Sequence, residues 1–416
     1  MPRSILIRSA RQLVTLHGPA GPRRGAAMNE LGIIQDGAVL ISDGIIRQVG
    51  TSRRVEALAE ARQADDISAA GRVVMPGFVD SHAHVVAGPA RPSEFWSREQ
   101  APEMFWKPLQ QTSRHTMEAQ GMRLLEDFVR HGTTMIEAKS GFGITETGEL
   151  KILRTHASLN RRTAMVASTF MGTRWLPPGT STEDYIDWMC TRMLPLIKRR
   201  GLAEFADIYC DRGVFSVEQA RRYISAAKQL GFGLKMHAGV TANIGVVPEA
   251  VRFGADGISH AVFVNESDIK ILSASNTIAT LLPGPVFFNQ TDHYPPARRL
   301  IDGGAAVALA TNLNPQTCPS QSMQMMLVLA CKNMGMTTAE AISAATINGA
   351  HSLRRGDRVG SLECDKLADL IILGISDYRE MSYNFGINLV DTTIKNGRVL
   401  CERSRIEWPA APVPRR

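Results

Sequence analysis

The pattern of apolar and polar positions differs between the two ends of the chain and its middle. Four segments near the ends alternate between apolar and polar residues: ILIRSARQLVTL (5–16), GAVLISDGIIRQVG (37–50), ADLIILGI (368–375) and DTTIKNGRVL (391–400). Alternation with a period of two predicts strands, and Asn396-Gly397 is a strong hairpin signal. We therefore expect a small β-sandwich domain built from both termini, residues 1–76 plus 356–416.

The middle of the chain shows apolar segments that alternate with segments of helical periodicity. The apolar segments span residues 77–85, 133–138, 163–170, 205–210, 234–239, 257–260, 277–283 and 306–312. Stretches such as SVEQARRYISAAKQLG lie between them and end in glycine, which commonly stops a helix. Eight strands that alternate with helices predict an α/β fold, the (β/α)8 TIM barrel, over residues 77–355. A doubly wound open sheet is the alternative, but its glycine-rich phosphate loop is missing from the sequence.

Composition narrows the class of protein without changing this architecture. A hydrophobic content of 44% and a charged content of 21% are ordinary for a globular protein with a sizeable core. The net charge of +7 resides largely in the ends, and no basic stripe is interleaved with aromatic residues, so we expect no nucleic-acid partner but a preference for small anionic molecules. The longest apolar runs are too short to span a membrane. Six scattered cysteines without a CxxC pair favour a reducing compartment, so we expect a cytoplasmic protein.

Polar residues that can bind metals fall at the ends of the predicted barrel strands. His82 and His84 end the first strand, His237 lies near the end of the fifth, His260 ends the sixth and Asn312 ends the eighth. Active-site groups of TIM barrels lie at the C-terminal ends of the strands. Residues two apart on a strand point to the same side, so both imidazoles of the HxH pair can face inward.

Each of these histidines alone would more often be a hydrogen-bonded core residue than a metal ligand. Their occurrence at three separate strand ends favours a metal site, because three protein ligands plus a water is the usual catalytic arrangement. Neutral imidazole suits borderline divalent cations. We expect one divalent metal, zinc as the first choice and iron or manganese as alternatives.

Longer motifs resemble the amidohydrolase superfamily, and within it the imidazolonepropionases. The motifs are PGFVDSHAH, KSGFGITETGELKILR, GVFSVEQARRYISAAKQLG, LLPGPVFF, YPPARRLIDGG, ALATNLNP, ADLIIL and KNGRVL. The resemblance implies a metal-dependent hydrolase whose substrate is a five-membered nitrogen ring with a propionate-type side chain. It also suggests a homodimer. By the same resemblance, His82, His84 and His237 are metal ligands, His260 is a polar catalytic residue and Arg91 binds substrate.

Four positions depart from the pattern of that family. Asn312 stands where the family has an aspartate that binds metal and accepts a proton, and Val240 stands where it has a glutamate that contacts the substrate ring. Arg174 replaces a histidine, and Phe142 replaces a tyrosine. An asparagine can lend a carbonyl oxygen to a metal but cannot take up a proton near neutral pH. Protonation of an amine leaving group would then depend on His260.

These departures leave alternatives to the imidazolone or hydantoin-type substrate. Hydrosulfide departs with little acid assistance, so a 2-thioxo-imidazolidinone propionate from a thiolated histidine derivative is one alternative substrate. The other alternative is that the chain is a catalytically silent homologue, which binds a metal and a ligand but catalyses no reaction. Arg91 and Arg174 make a plausible clamp for the carboxylate of such a substrate, because guanidinium groups bind carboxylates in a bidentate manner. Cys318 lies on the loop after Asn312 and is a further candidate contact, with an ordinary loop thiol as the alternative.

Overall fold

The fold is taken from a computed structural model of the chain, which describes residues 4–87, 103–172 and 175–402. Two eight-stranded sheets organise these residues. In the first, the order is β16-β15-β14-β5-β1-β2-β3, with β4 paired to β1. Its strands are β1 (Ser4–Val14), β2 (Ile33–Ser42), β3 (Ile45–Thr51), β4 (Asp65–Ser68), β5 (Val73–Pro76), β14 (Leu370–Leu373), β15 (Val390–Lys395) and β16 (Arg398–Glu402).

The second sheet consists of eight parallel strands in sequence order. They are β6 (Phe78–Ala83), β7 (Thr133–Lys139), β8 (Val166–Met171), β9 (Phe205–Cys210), β10 (Gly233–Ala238), β11 (Gly257–His260), β12 (Ile278–Leu281) and β13 (Val307–Leu309). This arrangement is a nearly closed TIM barrel, and the predicted fold class is confirmed. The doubly wound alternative is excluded because the strand order never reverses.

Helices follow most of the barrel strands, and others cover the ends of the barrel. The α-helices are Ser52–Glu56, Glu103–Gln111, Arg114–Arg130, Glu146–Thr163, Thr182–Trp188, Leu194–Arg199, Val217–Gln229, Val246–Phe253, Glu266–Ser273, Pro283–Phe288, Ala297–Asp302, Met323–Asn333, Thr338–Ala345, Ile347–Ser352 and Glu380–Tyr383. Short 3-10 helices span Gly25–Asn29 and Glu60–Gln63, and a π-helical turn spans Met189–Met193. None of the helices in the described ranges combines the length and apolar character that crossing a membrane requires.

The helix Val217–Gln229 shows how local sequence specifies these elements. It begins at a capping box, in which the side chains of Ser216 and Gln219 each accept a hydrogen bond from the other's backbone N–H. Its buried positions recur at helical spacing and face the barrel core: Ala220, Tyr223, Ile224 and Ala227. The cap and the apolar stripe are both legible in the sequence, so this helix was predicted closely.

The barrel closes where its first and last strands meet. The buried carboxylate of Asp80 on β6 accepts hydrogen bonds from the backbone N–H (3.1 Å) and the hydroxyl of Thr311, which follows β13. The backbone N–H of Asn312 donates to the carbonyl of His82 at 2.9 Å. These bonds fix the histidine-bearing end of β6 beside Asn312.

Strands β5 and β14 carry the contact between the two sheets. Val73 and Met75 on β5 and Ile371 on β14 belong to the same buried cluster as the barrel core. Their neighbours Val74 and Ile372 point the other way, into the core of the terminal sheet. Alternation along two strands therefore joins both units into one continuous interior. Strand β4 has no clear signal in the sequence. The predicted domain bounds, residues 1–76 plus 356–416 and residues 77–355, remain a prediction.

We expect Thr311→Val to weaken closure of the barrel. Valine keeps the shape of threonine but removes the hydroxyl that donates to Asp80 and accepts from the backbone N–H of Leu313. Loss of a partner from a buried polar group should lower the free energy of unfolding by about 1–3 kcal/mol. Urea denaturation of the two proteins at neutral pH would measure this change. An unchanged midpoint would contradict the role of this contact.

Candidate metal centre and active site

Because the barrel strands are parallel, their carboxyl ends meet at one rim, and the histidines predicted there are brought together. His82, His237 and His260 each offer one ring nitrogen, and these three nitrogens lie within 4.8 Å of one another. The ring centroid of His237 is 4.8 Å from that of His82 and 5.2 Å from that of His260. Three imidazoles at this separation can share one metal ion.

His84 lies beside this group but outside its tightest part. Its ring centroid is 5.9 Å from that of His82, compared with 5.8 Å between His82 and His260. The sequence pattern assigned the third ligand to His84 and a catalytic role to His260. The compact cluster contains His260 instead, so His84 and His260 are both candidates for the third ligand.

Hydrogen bonds hold the rings of His82 and His84 through their Nδ1 atoms. The Nδ1 atom of His82 contacts the hydroxyl of Ser259 at 2.9 Å, and Nδ1 of His84 contacts the carbonyl oxygen of Lys139 at 3.2 Å. The Nε2 atom of His82 is buried and has no hydrogen-bond partner in the described part of the chain. Such an unpartnered buried nitrogen fits a metal ligand, because zinc-binding histidines usually engage their other nitrogen in a hydrogen bond.

The surroundings keep two of these imidazoles uncharged. Burial, followed by the positive charge of Lys139, lowers the pKa of His84 to about 3 and that of His82 well below its ordinary value. A neutral imidazole presents a lone pair to a cation, whereas a protonated one cannot. The donor set of neutral imidazoles therefore suits a borderline divalent cation such as zinc.

A buried ionic group lies in the barrel below the histidines. The ammonium of Lys139 donates to Glu137 at 2.8 Å and to Asp207 at 2.6 Å, and all three side chains are fully buried. Asp207 in turn contacts Nδ1 of His237 at 3.2 Å. Burial alone would raise the pKa of Asp207, but the charges of Lys139 and His237 and their hydrogen bonds outweigh it and hold that pKa below its ordinary value.

This ionic group also bears on the number of metals. A lysine at the end of a barrel strand invites comparison with carbamylated lysines that bridge two metals. Here the ammonium of Lys139 neutralises the carboxylates of Glu137 and Asp207. A carbamate on Lys139 would instead place a negative charge against them. The arrangement is consistent with an unmodified lysine and with a single metal.

A cavity of about 480 Å³ opens above the histidines, a size typical of sites for small molecules. His84, His237, His260, Phe142 and Asn312 all line it. No aspartate, glutamate, lysine or arginine is among the described residues of its wall. Acid–base chemistry in this part of the cavity therefore depends on imidazole and phenol groups, whereas the amide groups can only form hydrogen bonds.

The other predicted site residues have different outcomes. Arg91 and Arg174 lie outside the described residues. Cys318 is only 2% exposed, packs in the main core and is not among the described residues of the cavity wall. Burial raises the pKa of its thiol to about 12, so it is not a ready nucleophile. The loop turns the side chain of Cys318 inward, which favours the ordinary thiol, and its contact with substrate stays a prediction.

The structure adds cavity residues that the sequence reasoning missed. Tyr209 stacks on His237 with ring centroids 4.9 Å apart, and Trp175 lies 5.7 Å from Phe142. Tyr209 is next to the end of β9, so the rule that strand ends carry active-site groups could have found it. Trp175 lies on an irregular loop and carries no comparable signal.

The segment that carries Phe142 is held by one buried carboxylate. Glu149 accepts hydrogen bonds from the backbone N–H of Gly141 at 3.2 Å and of Gly143 at 2.6 Å. A Cβ on Gly148 would lie 2.2 Å from the carbonyl oxygen of Gly143, so this close approach requires glycine. Phe142 is thereby fixed against His84, with ring centroids 5.2 Å apart. Burial raises the pKa of Glu149 to about 7, although hydrogen bonds from Ser140 and the glycine amides oppose the rise.

Comparisons with known proteins agree with the fold. The profile of the amidohydrolase family matches residues 73–400. The imidazolonepropionase of Parabacteroides distasonis (strain ATCC 8503) is 40% identical over 410 residues, which cover 95% of this chain and 98% of the relative. The imidazolonepropionase of Geobacillus sp. (strain WCH70) is 37% identical over 97% of this chain and 99% of its own length.

Solved structures show the same architecture at low sequence identity. An adenosine deaminase from Xanthomonas campestris with bound zinc is 19% identical, has a TM-score of 0.69 and covers 98% of this chain and 95% of its own. A triazine hydrolase from Arthobacter aurescens is 17% identical, with a TM-score of 0.75 over 96% and 95% of the two chains. At this identity the likeness concerns the fold alone.

We expect the difference in stability between the parent chain and the Glu149→Gln variant to depend on pH. The unfolded glutamate titrates near 4.5 and the folded one near 7, so between these values the folded chain keeps a proton that the unfolded chain has released. The stabilising contribution of Glu149 is therefore present below pH 4.5 and falls as the pH rises through 7. Glutamine does not titrate, so the midpoint of the parent should fall relative to that of the variant between pH 5 and 8, as urea titrations at several pH values would show. A difference that is independent of pH would contradict this expectation.

Proposed function

The chain belongs to the amidohydrolase family, and from this premise we propose that it hydrolyses a five-membered nitrogen ring that carries a propionate side chain. The observation that supports the proposal most directly is the group of imidazoles that faces a cavity of about 480 Å³. A ring of this kind is small enough for the cavity. The relatives named imidazolonepropionase favour an imidazolone ring as the first candidate.

The residues that would hold the metal are His82 and His237 together with His84 or His260. When bound, a divalent cation would polarise the ring carbon that is attacked and lower the pKa of a water molecule. Zinc is the cation we propose, with iron and manganese as alternatives. The predicted homodimer and the cytoplasmic location also remain predictions.

The remaining side chains suggest how the substrate is oriented and how protons move. Phe142 and Trp175 form an aromatic wall against which a planar ring can pack. Whichever of His84 and His260 does not bind the metal can carry a proton between water and the leaving nitrogen. Asn312 can donate or accept a hydrogen bond at the substrate but cannot exchange a proton with it. We propose Arg91 and Arg174 as partners of the propionate carboxylate.

A second candidate substrate is favoured by the chemistry of the cavity wall. No carboxylic acid stands among its described residues, so protonation of an amine leaving group has few donors. A 2-thioxo-imidazolidinone propionate would reduce this demand. Water would add to the carbon of the C=S group, hydrosulfide would leave, and the ring would remain closed with oxygen in place of sulfur.

Metal analysis of single variants can decide which histidines bind the ion. We expect the purified chain to contain about one equivalent of divalent metal, following the pattern of catalytic zinc sites. His82→Ala and His237→Ala should lose it. Of His84→Ala and His260→Ala, the variant that retains the metal but loses turnover identifies the proton carrier. Retention of metal by His82→Ala would contradict the proposed centre.

Turnover of two synthetic substrates distinguishes the candidate reactions. Imidazolone propionate and its 2-thioxo-imidazolidinone counterpart would each be incubated with the metal-loaded chain while ring absorbance and released sulfide are followed. Ring opening supports the first candidate, whereas sulfide release without ring opening supports the second. Asn312→Asp adds a proton acceptor at the rim, and we expect it to raise ring-opening activity relative to desulfurisation. Turnover of neither ring at any metal loading would overturn both candidates and leave a binding protein.

A further inference from the structure

A continuous series of buried polar contacts leads from the middle of the barrel to one of the histidines. Thr169 donates to Glu137 at 2.6 Å, and the same carboxylate oxygen accepts from Lys139 at 2.8 Å. Lys139 also donates to Oδ2 of Asp207 at 2.6 Å, and Oδ1 of Asp207 lies 3.2 Å from Nδ1 of His237. The series therefore joins four neighbouring strands, β7 to β10, and ends at a ring that lines the cavity.

This use of the barrel interior is unusual in physical terms. Barrel interiors are generally filled by branched apolar side chains, and a buried ion pair contributes little net stability because both groups lose their hydration. Lys139, Glu137 and Asp207 are each 0% exposed, so their desolvation is complete. Stability alone does not account for the arrangement. Its connection to His237 indicates a role in the site.

We propose that Lys139 is a positioning residue that fixes His237 through Asp207, an inference that rests on the proposed metal-dependent function. Lys139 anchors Oδ2 of Asp207, and both oxygens of this carboxylate lie 3.2 Å from Nδ1 of His237. A carboxylate in this place keeps the proton on Nδ1 and directs the lone pair of Nε2 towards the cavity. The carbonyl oxygen of Lys139 holds Nδ1 of His84 in the same way, at 3.2 Å. One residue thus orients two imidazoles, by its side chain and by its backbone.

The alternative is that Lys139 serves only the packing of the barrel, and a second buried lysine offers a matched control. Lys235 lies on β10 and is 1% exposed, and its ammonium donates to the carbonyl and hydroxyl oxygens of Ser352. Its distance to the nearest oxygen of Glu137 is 4.0 Å, which is beyond a hydrogen bond. Replacement of either lysine removes a buried charge from the barrel, but only Lys139 connects to a candidate ligand.

The first test compares zinc affinity in Lys139→Met and Lys235→Met, measured by competition with a chromophoric chelator. We expect Lys139→Met to bind zinc about 10- to 100-fold more weakly than the parent, the usual effect of removing a partner that orients a ligand. Lys235→Met should retain the affinity of the parent even though it is less stable. Equal affinities in the parent and in folded Lys139→Met would overturn the proposal.

The second test does not require Lys139→Met to fold. Nitrogen-15 NMR of the metal-free parent, with the His237 signals assigned from a His237→Gln spectrum, reports which ring nitrogen carries the proton. We expect the proton on Nδ1 in the parent and a mixture of tautomers in Asp207→Asn, which is the milder substitution if Lys139→Met does not fold. A proton on Nε2 of His237 in the parent would overturn the proposal. Neither measurement requires turnover, so a chain that hydrolyses neither ring but shows both effects contradicts the proposed function and not this inference.

Discussion

Closure of the barrel between β6 and β13 is the constraint on which the site depends. Parallel strands send their carboxyl ends to one rim, but only closure brings the first strand, with His82 and His84, beside the last, which leads to Asn312. The carboxylate of Asp80 secures this contact by accepting from both polar groups of Thr311. Without this contact, the candidate metal ligands at the end of β6 would have no fixed relation to the opposite wall.

The buried charges inside the barrel are paired, and their arrangement favours the binding of a cation at the rim. Lys139 and Lys235 face the carboxylates of Glu137 and Asp207 within a region from which water is excluded. Both oxygens of Asp207 lie 3.2 Å from Nδ1 of His237, so negative charge lies directly behind a candidate metal ligand. Burial and the positive charge of Lys139 also lower the pKa values of His82 and His84, which keeps these two imidazoles neutral. The buried charges therefore support metal binding by the histidines at the rim.

The cavity combines features of the family with an unusual set of polar groups. The family membership and the imidazole cluster support hydrolysis, whereas the described wall offers aromatic and amide groups in place of carboxylates. Asn312 and Val240 both line the cavity, so the departures noted in the sequence concern residues that can reach a ligand. Such substitutions at the wall would change the demand on the leaving group, while the histidines that are candidate metal ligands are kept.

The sequence by itself determined the eight barrel strands, the two β-rich ends and the histidines at the strand ends, because periodicity and strand direction are local properties. Only the tertiary structure decided that Cys318 turns into the core, that Tyr209 stacks on His237 and that a ring nitrogen of His260 lies within 4.8 Å of those of His82 and His237. Only it, too, joined Lys139 to Asp207, which are distant in sequence. Contacts of this kind depend on the direction of each side chain after the barrel closes, and neither periodicity nor spacing along the chain records that direction.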